Sequence, residues 1–263
     1  MPSDRARKLK VTALLSGEPA PHDLWTLRQM ASVDCELTAL EAPRLLVEHP
    51  RKLGAAVGMR LAARDQALLK QLFDFEDLSS WWSSSGIGPV KVRALNDDDS
   101  HAALTALSPD VIVRVSGGMP DPRIYSIAAL AALNIHHGQA PLIRGMWSIP
   151  WGIIEGRRDW IGATVHFIDN RTGTGPILWR GGPQLAPGDT NIDLFFRAHL
   201  EASDALGRIL RVYADGGIPR PWIPAAGEIT THKPAPGLLG WLRLLCLDRG
   251  RRAHLLLERG IEC

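Results

Sequence analysis

Asn134-Ile135-His136-His137-Gly138-Gln139-Ala140-Pro141-Leu142-Ile143-Arg144-Gly145 is the stretch on which the reading of this chain turns. An apolar segment, Ile127 to Leu133, runs into it as a strand would. Side chains alternate between the two faces of a strand. Asn134 and His136 therefore share one face, and His137 takes the other with a structural part to play. Pro141 and the Arg144-Gly145 pair then turn the chain away. Further on, Ile161 to Asp169 reads as another strand and runs into a turn, Asn170 to Gly175. Amide, imidazole and carboxylate are the groups needed to hold a developing oxyanion and to move a proton. Taken alone, Asn134 and His136 are read more simply as a polar strand end capping its own turn.

Outward from this stretch the chain alternates strand and helix patterns. Lys10 to Gly17 reads as a buried first strand ending in a Gly turn. Asp23 to Ala31 follows with Leu24, Leu27 and Met30 at helical spacing. Cys35 to Leu40 gives a second strand, and Arg51 to Leu72 a long amphipathic crossover helix. Trp81-Trp82 and the three serines after them read as a loop, the tryptophans capping a core edge. Pro89 to Leu95 reads as a strand, and the acids Asp97 to Asp99 suit a helix start, where carboxylates meet the positive end of the helix dipole. Ser108 to Val115 is a strand opening with Pro109-Asp110. It ends in Ser116-Gly117-Gly118-Met119, whose glycines allow a flat ligand to approach the backbone; a tight turn into the next helix explains them equally well. Ile177 to Arg180 is a further strand. Thr190 to Ala214 is a helix capped by Thr190 and stopped by Gly216-Gly217 and Pro219. Beyond it come five prolines from Pro219 to Pro236, then a Leu-rich piece from Leu238 to Leu257.

This order predicts an α/β fold: a Rossmann-like, open, mostly parallel sheet with helices on both faces, and ligands at the carboxyl ends of the strands. No GxGxxG follows the first strand, so a nicotinamide dinucleotide is not expected. The expected domain spans residues 1–217, and residues 218–263 form a Pro-rich linker and a short helical tail, read first as packed on the domain and second as a partner-binding helix. With 263 residues and 45% hydrophobic content the chain can bury a sizeable core. A net charge of +2 gives no general attraction to nucleic acid or membrane. Three scattered cysteines, Cys35, Cys246 and Cys263, read as free thiols in a reducing cytoplasm. No signal segment, membrane span or metal-ligand cluster is expected.

The ordered pattern Asn-x-His-x-x-x-x-Pro-x-x-Arg-Gly, then Gly-x-Thr-Val-His-Phe and Thr-Gly-Pro-Ile-Leu, resembles the folate-dependent formyltransferases over about residues 105–180. That family includes glycinamide ribonucleotide, methionyl-tRNA and amino-sugar formyltransferases. The resemblance implies a formyltransferase-type sheet and 10-formyltetrahydrofolate as co-substrate. Asn134 and His136 would be catalytic. Ser116, Gly117, Gly118, Met119, Arg144, Gly173 and Thr174 would lie around the co-substrate, with the Ser116–Met119 loop holding the pterin ring. His166 would line the pocket. One position departs from the family: its catalytic Asp directly precedes the Thr-Gly pair, and here Gly173 stands there. Asp169, four residues earlier, is the nearest carboxylate and the candidate replacement; ordinary turn chemistry also accounts for it.

Three functions follow. The first is an N-formyltransferase acting on the amine of a small molecule, an amino sugar or a specialised metabolite. The second is a folate-site enzyme with altered chemistry, such as formyl-folate hydrolysis or a carbamoyl-type transfer. The third is a ligand-binding or scaffold protein without catalysis. The expected partner is a small-molecule amine, with a homodimer left open. A tRNA substrate is disfavoured, because little chain follows Gly217 to build the large C-terminal barrel of the methionyl-tRNA enzymes.

Overall fold

Strand β1 (Leu9–Ser16) is buried continuously from Val11 to Leu15, so it must lie inside a sheet covered on both faces. Its one polar residue in that run, Thr12, shares a hydrogen bond of 2.8 Å with Thr38 on the neighbouring strand. The computed structural model describes residues 7–43, 75–145, 147–169, 175–224 and 231–249. On one side β1 pairs in parallel with β2 (Cys35–Ala42), which pairs with the two-residue β3 (Val90–Lys91). On the other side it pairs with β4 (Val111–Arg114), and β4 pairs in parallel with β5 (Ala131–His136). A second small sheet begins with β6 (Ile143–Arg144). Strands β7 (Ala163–Phe167) and β8 (Ile177–Gly181) add antiparallel to β5 and to each other. Among the described residues the sheet order is thus β3-β2-β1-β4-β5-β7-β8. The chain reverses its direction of winding between β1 and β4, the kind of crevice where open α/β sheets place ligands.

Two apolar layers cover the sheet. One joins Leu14, Leu40 and Ile112 to Leu104 of α3 (Asp98–Leu107) and Ile124 of α4 (Pro122–Tyr125). The larger joins Val11, Ala13, Val113, Leu133, Ile135 and Val165 to the helices of the opposite face. These include α1 (Pro21–Ala31), α5 (Ser148–Glu155) and α6 (Asn191–Ala214). The alternation of strand side chains between the layers is the two-residue period of the pleat. Helix α6 starts at a capping box, Thr190 with Asp193, as its sequence announces. In α3 the carboxylate of Asp97 accepts the N–H of Ser100 (2.9 Å), so the acidic triplet is helix-start chemistry.

Two expectations are corrected. Trp81-Trp82 and the first two serines after them, Ser83 and Ser84, are not a loop: they end helix α2 (Phe75–Ser84), and Ser85 follows it. Leu78, Trp81 and Trp82 are spaced as one helix face and pack on the larger core. The serines that suggest a loop bond back to the helix, Ser83 and Ser84 Oγ each reaching the carbonyl four residues earlier (3.0 and 2.8 Å). The expected strand from Pro89 to Leu95 shrinks to Val90–Lys91, which among the described residues lies at the sheet edge and pairs with β2 alone. The expected crossover helix from Arg51 to Leu72 lies outside the described residues.

The chain after α6 folds back on the domain. Trp222 exchanges backbone hydrogen bonds with Ile177 (2.7 and 2.8 Å), lengthening the β8 edge. β9 (Thr231–His232) pairs in parallel with β6. Helix α7 (Leu238–Arg249) buries Leu244 and Asp248, and the Asp248 carboxylate accepts the N–H of Asn191 at the start of α6 (2.9 Å).

Candidate active site

Arg114, Asn134 and His166 stand in register across the carboxyl ends of β4 and β5 and the facing part of β7. They form one hydrogen-bonded row. Arg114 donates to Asn134 Oδ1 (2.8 Å), and Asn134 Nδ2 lies 3.0 Å from His166 Nε2. His166 Nδ1 is 2.8 Å from the carbonyl of Phe167. A carbonyl can only accept, so Nδ1 carries the proton and Nε2 accepts from the Asn134 amide. An amide has two N–H groups; one goes to His166, and the other is what Asn134 can offer a ligand.

His136 follows two residues on. Its Nε2 donates to the carbonyl of Ile143 (3.2 Å) and has Ser148 Oγ at 3.4 Å. The ring N–H thus faces the β6 backbone, leaving Nδ1 as the ring's acceptor. Burial is the main force that pushes the His136 pKa down, to about 4, with His166, Arg114 and Arg144 adding to it and the Ile143 carbonyl opposing. At neutral pH the ring is an uncharged base. Gly138 leaves room for this arrangement: a Cβ there would lie 2.6 Å from Ser148 Cβ and 2.8 Å from His136 Nε2. Thr164 holds the turn from below, donating to Gly138 O (2.8 Å) and accepting from Ala140 N (3.0 Å).

The other expected residues divide. Asp169 follows β7, and its charge acts on His166 and Arg144, raising both pKa values against the burial that lowers them. Arg144 also weighs on His136, so Asp169, Arg144, His166 and His136 share one electrostatic environment. The Ser116–Met119 loop joins the row through Arg114, which donates to Gly118 O (3.0 Å) and to Gly117 O. Asn96 Nδ2 donates to Met119 O (3.1 Å), and Ser116 Oγ accepts from Ser16 N (3.1 Å). The glycines of this loop were expected to let a flat ligand approach the backbone. Three of its carbonyls are engaged by the protein, as is the Ser116 N–H, which donates to Leu14 O (3.3 Å), and the Met119 side chain is exposed. Gly173 and Thr174 lie outside the described residues.

His137 points the other way, as its alternation requires. Its Nε2 lies 2.8 Å from His199 Nδ1 and its ring stacks on Phe195 at 4.3 Å. His199 in turn bonds Thr26 (2.8 Å). A separate cavity of about 600 Å³, lined by Gln139, Arg157, Arg158, Asp159, Gly182 and Leu185 among others, contains neither Asn134 nor His136. Sequence reading missed Arg114 and Ser148. Arg114 carried one signal, a charge inside the apolar run Val111 to Val115; Ser148 carried none.

The formyl transferase family matches residues 52–210. This chain belongs to the formyl transferase family. It is 30% identical over 160 residues to the methionyl-tRNA formyltransferase of Anaeromyxobacter dehalogenans (strain 2CP-C), covering 60% of this chain and 49% of that one. With the enzyme of the same name from Chlorobium chlorochromatii (strain CaD3) it shares 31% over 121 residues, 46% of this chain and 38% of that one. The chain thus spans about half or less of the length of these relatives. Its fold is similar to that of a sugar N-formyltransferase from Shewanella sp FDAARGOS_354, with a TM-score of 0.52 at 14% identity over 93% of this chain and 87% of that one. It is also similar to glycinamide ribonucleotide transformylase 1 from Symbiobacterium toebii, with a TM-score of 0.53 at 16% identity over 82% and 95%. Among the described residues no helix is long and apolar enough to cross a membrane.

Proposed function

We propose that this formyl transferase family member moves a formyl group from 10-formyltetrahydrofolate to the amine of a small molecule, an amino sugar or a specialised metabolite. The observation that carries the reading is the row Arg114–Asn134–His166, which directs an amide donor beside the neutral base His136. The donor set suits a formylated folate: an N–H for a carbonyl oxygen and a ring nitrogen for an amine proton. When bound, that co-substrate supplies an electrophilic carbonyl carbon. Asn134 contributes the N–H toward the carbonyl oxygen, and one such donor is worth roughly 3–4 kcal/mol. His136 Nδ1 would take the proton of the attacking amine, a role its neutral state permits, and return it to the folate nitrogen as the bond from that nitrogen to the formyl carbon breaks and tetrahydrofolate leaves. Ser148 and the Ile143 carbonyl hold the ring in the orientation that leaves Nδ1 available.

A second reading, hydrolysis of the formyl-folate, is favoured by Gly173 in place of the family's acid. A less basic site suits water or a weak acceptor rather than a protonated amine. Incubation with 10-formyltetrahydrofolate, with and without a panel of amino sugars, separates the two. Amine-dependent release of tetrahydrofolate supports transfer; release at the same rate without amine supports hydrolysis. A folate analogue at about 100 times its dissociation constant should stabilise the fold by roughly 2.7 kcal/mol. No thermal shift with any reduced folate would sink both readings.

A further inference from the structure

We propose that Arg114 is a positioning residue of this site, fixing the side-chain amide of Asn134 with its N–H groups toward the cleft and tying it to the Ser116–Met119 loop. The role of that amide rests on the formyl-transfer reading; the orientation itself does not. Arg114 ends β4 directly opposite Asn134 on β5. One terminal nitrogen reaches Asn134 Oδ1 at 2.8 Å, Nε reaches Gly118 O at 3.0 Å, and the other terminal nitrogen reaches Gly117 O. A guanidinium has donors only, so the Asn134 atom facing it must be the oxygen. That removes the two-fold ambiguity of an amide and leaves Nδ2 toward His166 and the cleft.

The rest of the row agrees. His166 Nδ1 donates to Phe167 O, so His166 Nε2 can only accept, and Asn134 Nδ2 is what it accepts from. From Arg114 to Phe167 every donor points the same way, and hydrogen bonds aligned in series polarise one another. A cation on Oδ1 makes the remaining N–H of Asn134 a stronger donor. The same charge lies close enough to His136 and His166 to hold both toward their neutral forms. A charged residue at the end of an otherwise apolar strand costs desolvation; the nearby carboxylate of Asp23 offsets part of it. The fork geometry is specific: one flat group bonds acceptors on β5 and on two successive loop residues. A lysine would keep the charge and lose the fork.

The test uses Arg114→Met, Arg114→Lys, Asn134→Ala and the double variant Arg114→Met/Asn134→Ala of the full chain. Two readouts run in parallel. The first, on the free protein, is NMR of the Asn134 side-chain amide and of the His136 ring through a pH titration. Arg114→Met should shift the Asn134 amide resonances and raise the His136 midpoint, whereas Arg114→Lys should shift the amide and leave the midpoint near wild type. The second is turnover of 10-formyltetrahydrofolate. Arg114→Met should lower kcat about 10²–10³-fold, the cost of one misaligned oxyanion donor, and less than threefold further once Asn134 is alanine. Equal losses with and without Asn134 would show Arg114 to be only a brace for the loop and overturn the proposal. If the wild type turns over no folate, the functional reading has failed and the amide resonances decide alone: unchanged in Arg114→Lys, they overturn the proposal; displaced, they support it. Should Arg114→Met not fold, Arg114→Lys carries both readouts, with kcat within threefold of wild type counting against.

Discussion

Asp169 acts on His166 and Arg144 through its charge, and Gly173 occupies the position where the family resemblance places an acid. If Asp169 has taken over from that acid, Asp169→Asn should lower turnover at least tenfold; if it only balances Arg144, turnover should stay within about threefold. Either way the variant should lower the NMR titration midpoint of His166, because a carboxylate favours the imidazolium. An unmoved midpoint would remove Asp169 from the site. Gly173→Asp is the complementary change. A carboxylate reaching His136 would raise its pKa from about 4 toward the ordinary range, and faster formyl transfer to ordinary amines is expected. Gly173→Ala serves as control for the backbone, and a rate rise shared by both variants would refute the explanation. The wild type is accordingly expected to be a slow formyltransferase.

At the scale of elements, the turn after β5 is held from outside by a segment beyond the family match. Thr231 N and Lys233 N donate to Leu142 O and Arg144 O (3.2 and 3.3 Å). Trp151 Nε1 donates to Pro234 O (2.7 Å), and Lys233 Nζ meets Glu155 at 2.5 Å. The same strand β6 supplies the carbonyl that orients His136, so this strap and the candidate base are joined through one short strand. Gly145, at φ 108° and with Lys233 O 2.6 Å from where a Cβ would lie, permits the contact. Gly145→Ala should therefore loosen the strap and cost about 1–3 kcal/mol. Thermal unfolding would show it, with faster proteolysis after α6; an unchanged melting temperature would mean the strap is not held there. On α6, Thr190→Ala removes the capping box and should cost about 1 kcal/mol, read as a lower denaturant midpoint at unchanged m-value.

For the whole molecule, buried neutral histidines tie stability to pH. Burial, with His22 adding to it, holds the His199 pKa down to about 3, and burial likewise pushes His137 well below its ordinary value. In the unfolded chain a histidine binds a proton below about pH 6.5. Between about pH 6.5 and 3 the unfolded state therefore binds more protons than the folded one, so stability is complete above that window and falls as the pH drops through it. His199, 1% exposed, contributes a slope of up to about 1.4 kcal/mol per pH unit. Melting temperature against pH should show this acid limb, and His199→Gln should flatten it. An equally steep limb in the variant would place the acid sensitivity elsewhere.

The order of the strands of the main sheet, the cap at Thr190, the helix start at the acids Asp97 to Asp99, and the shared face of Asn134 and His136 were legible in the sequence, because each depends on local spacing: a period of two, a period near 3.6, or a side chain three residues from its partner. Trp81-Trp82 misled because serines favour loops only until a tertiary surface buries the apolar face beside them. The partners of the candidate residues were not legible. Arg114 and Asn134 are 20 residues apart and Asn134 and His166 are 32 apart; only the register of β4, β5 and β7 brings them into one row. The direction of the His136 ring, the inward carbonyls of Gly117 and Gly118, and the strap from Thr231 to Pro234 were likewise decided by tertiary structure. Each is a hydrogen bond between segments whose meeting is set by how the sheet closes, and no local pattern encodes that distance.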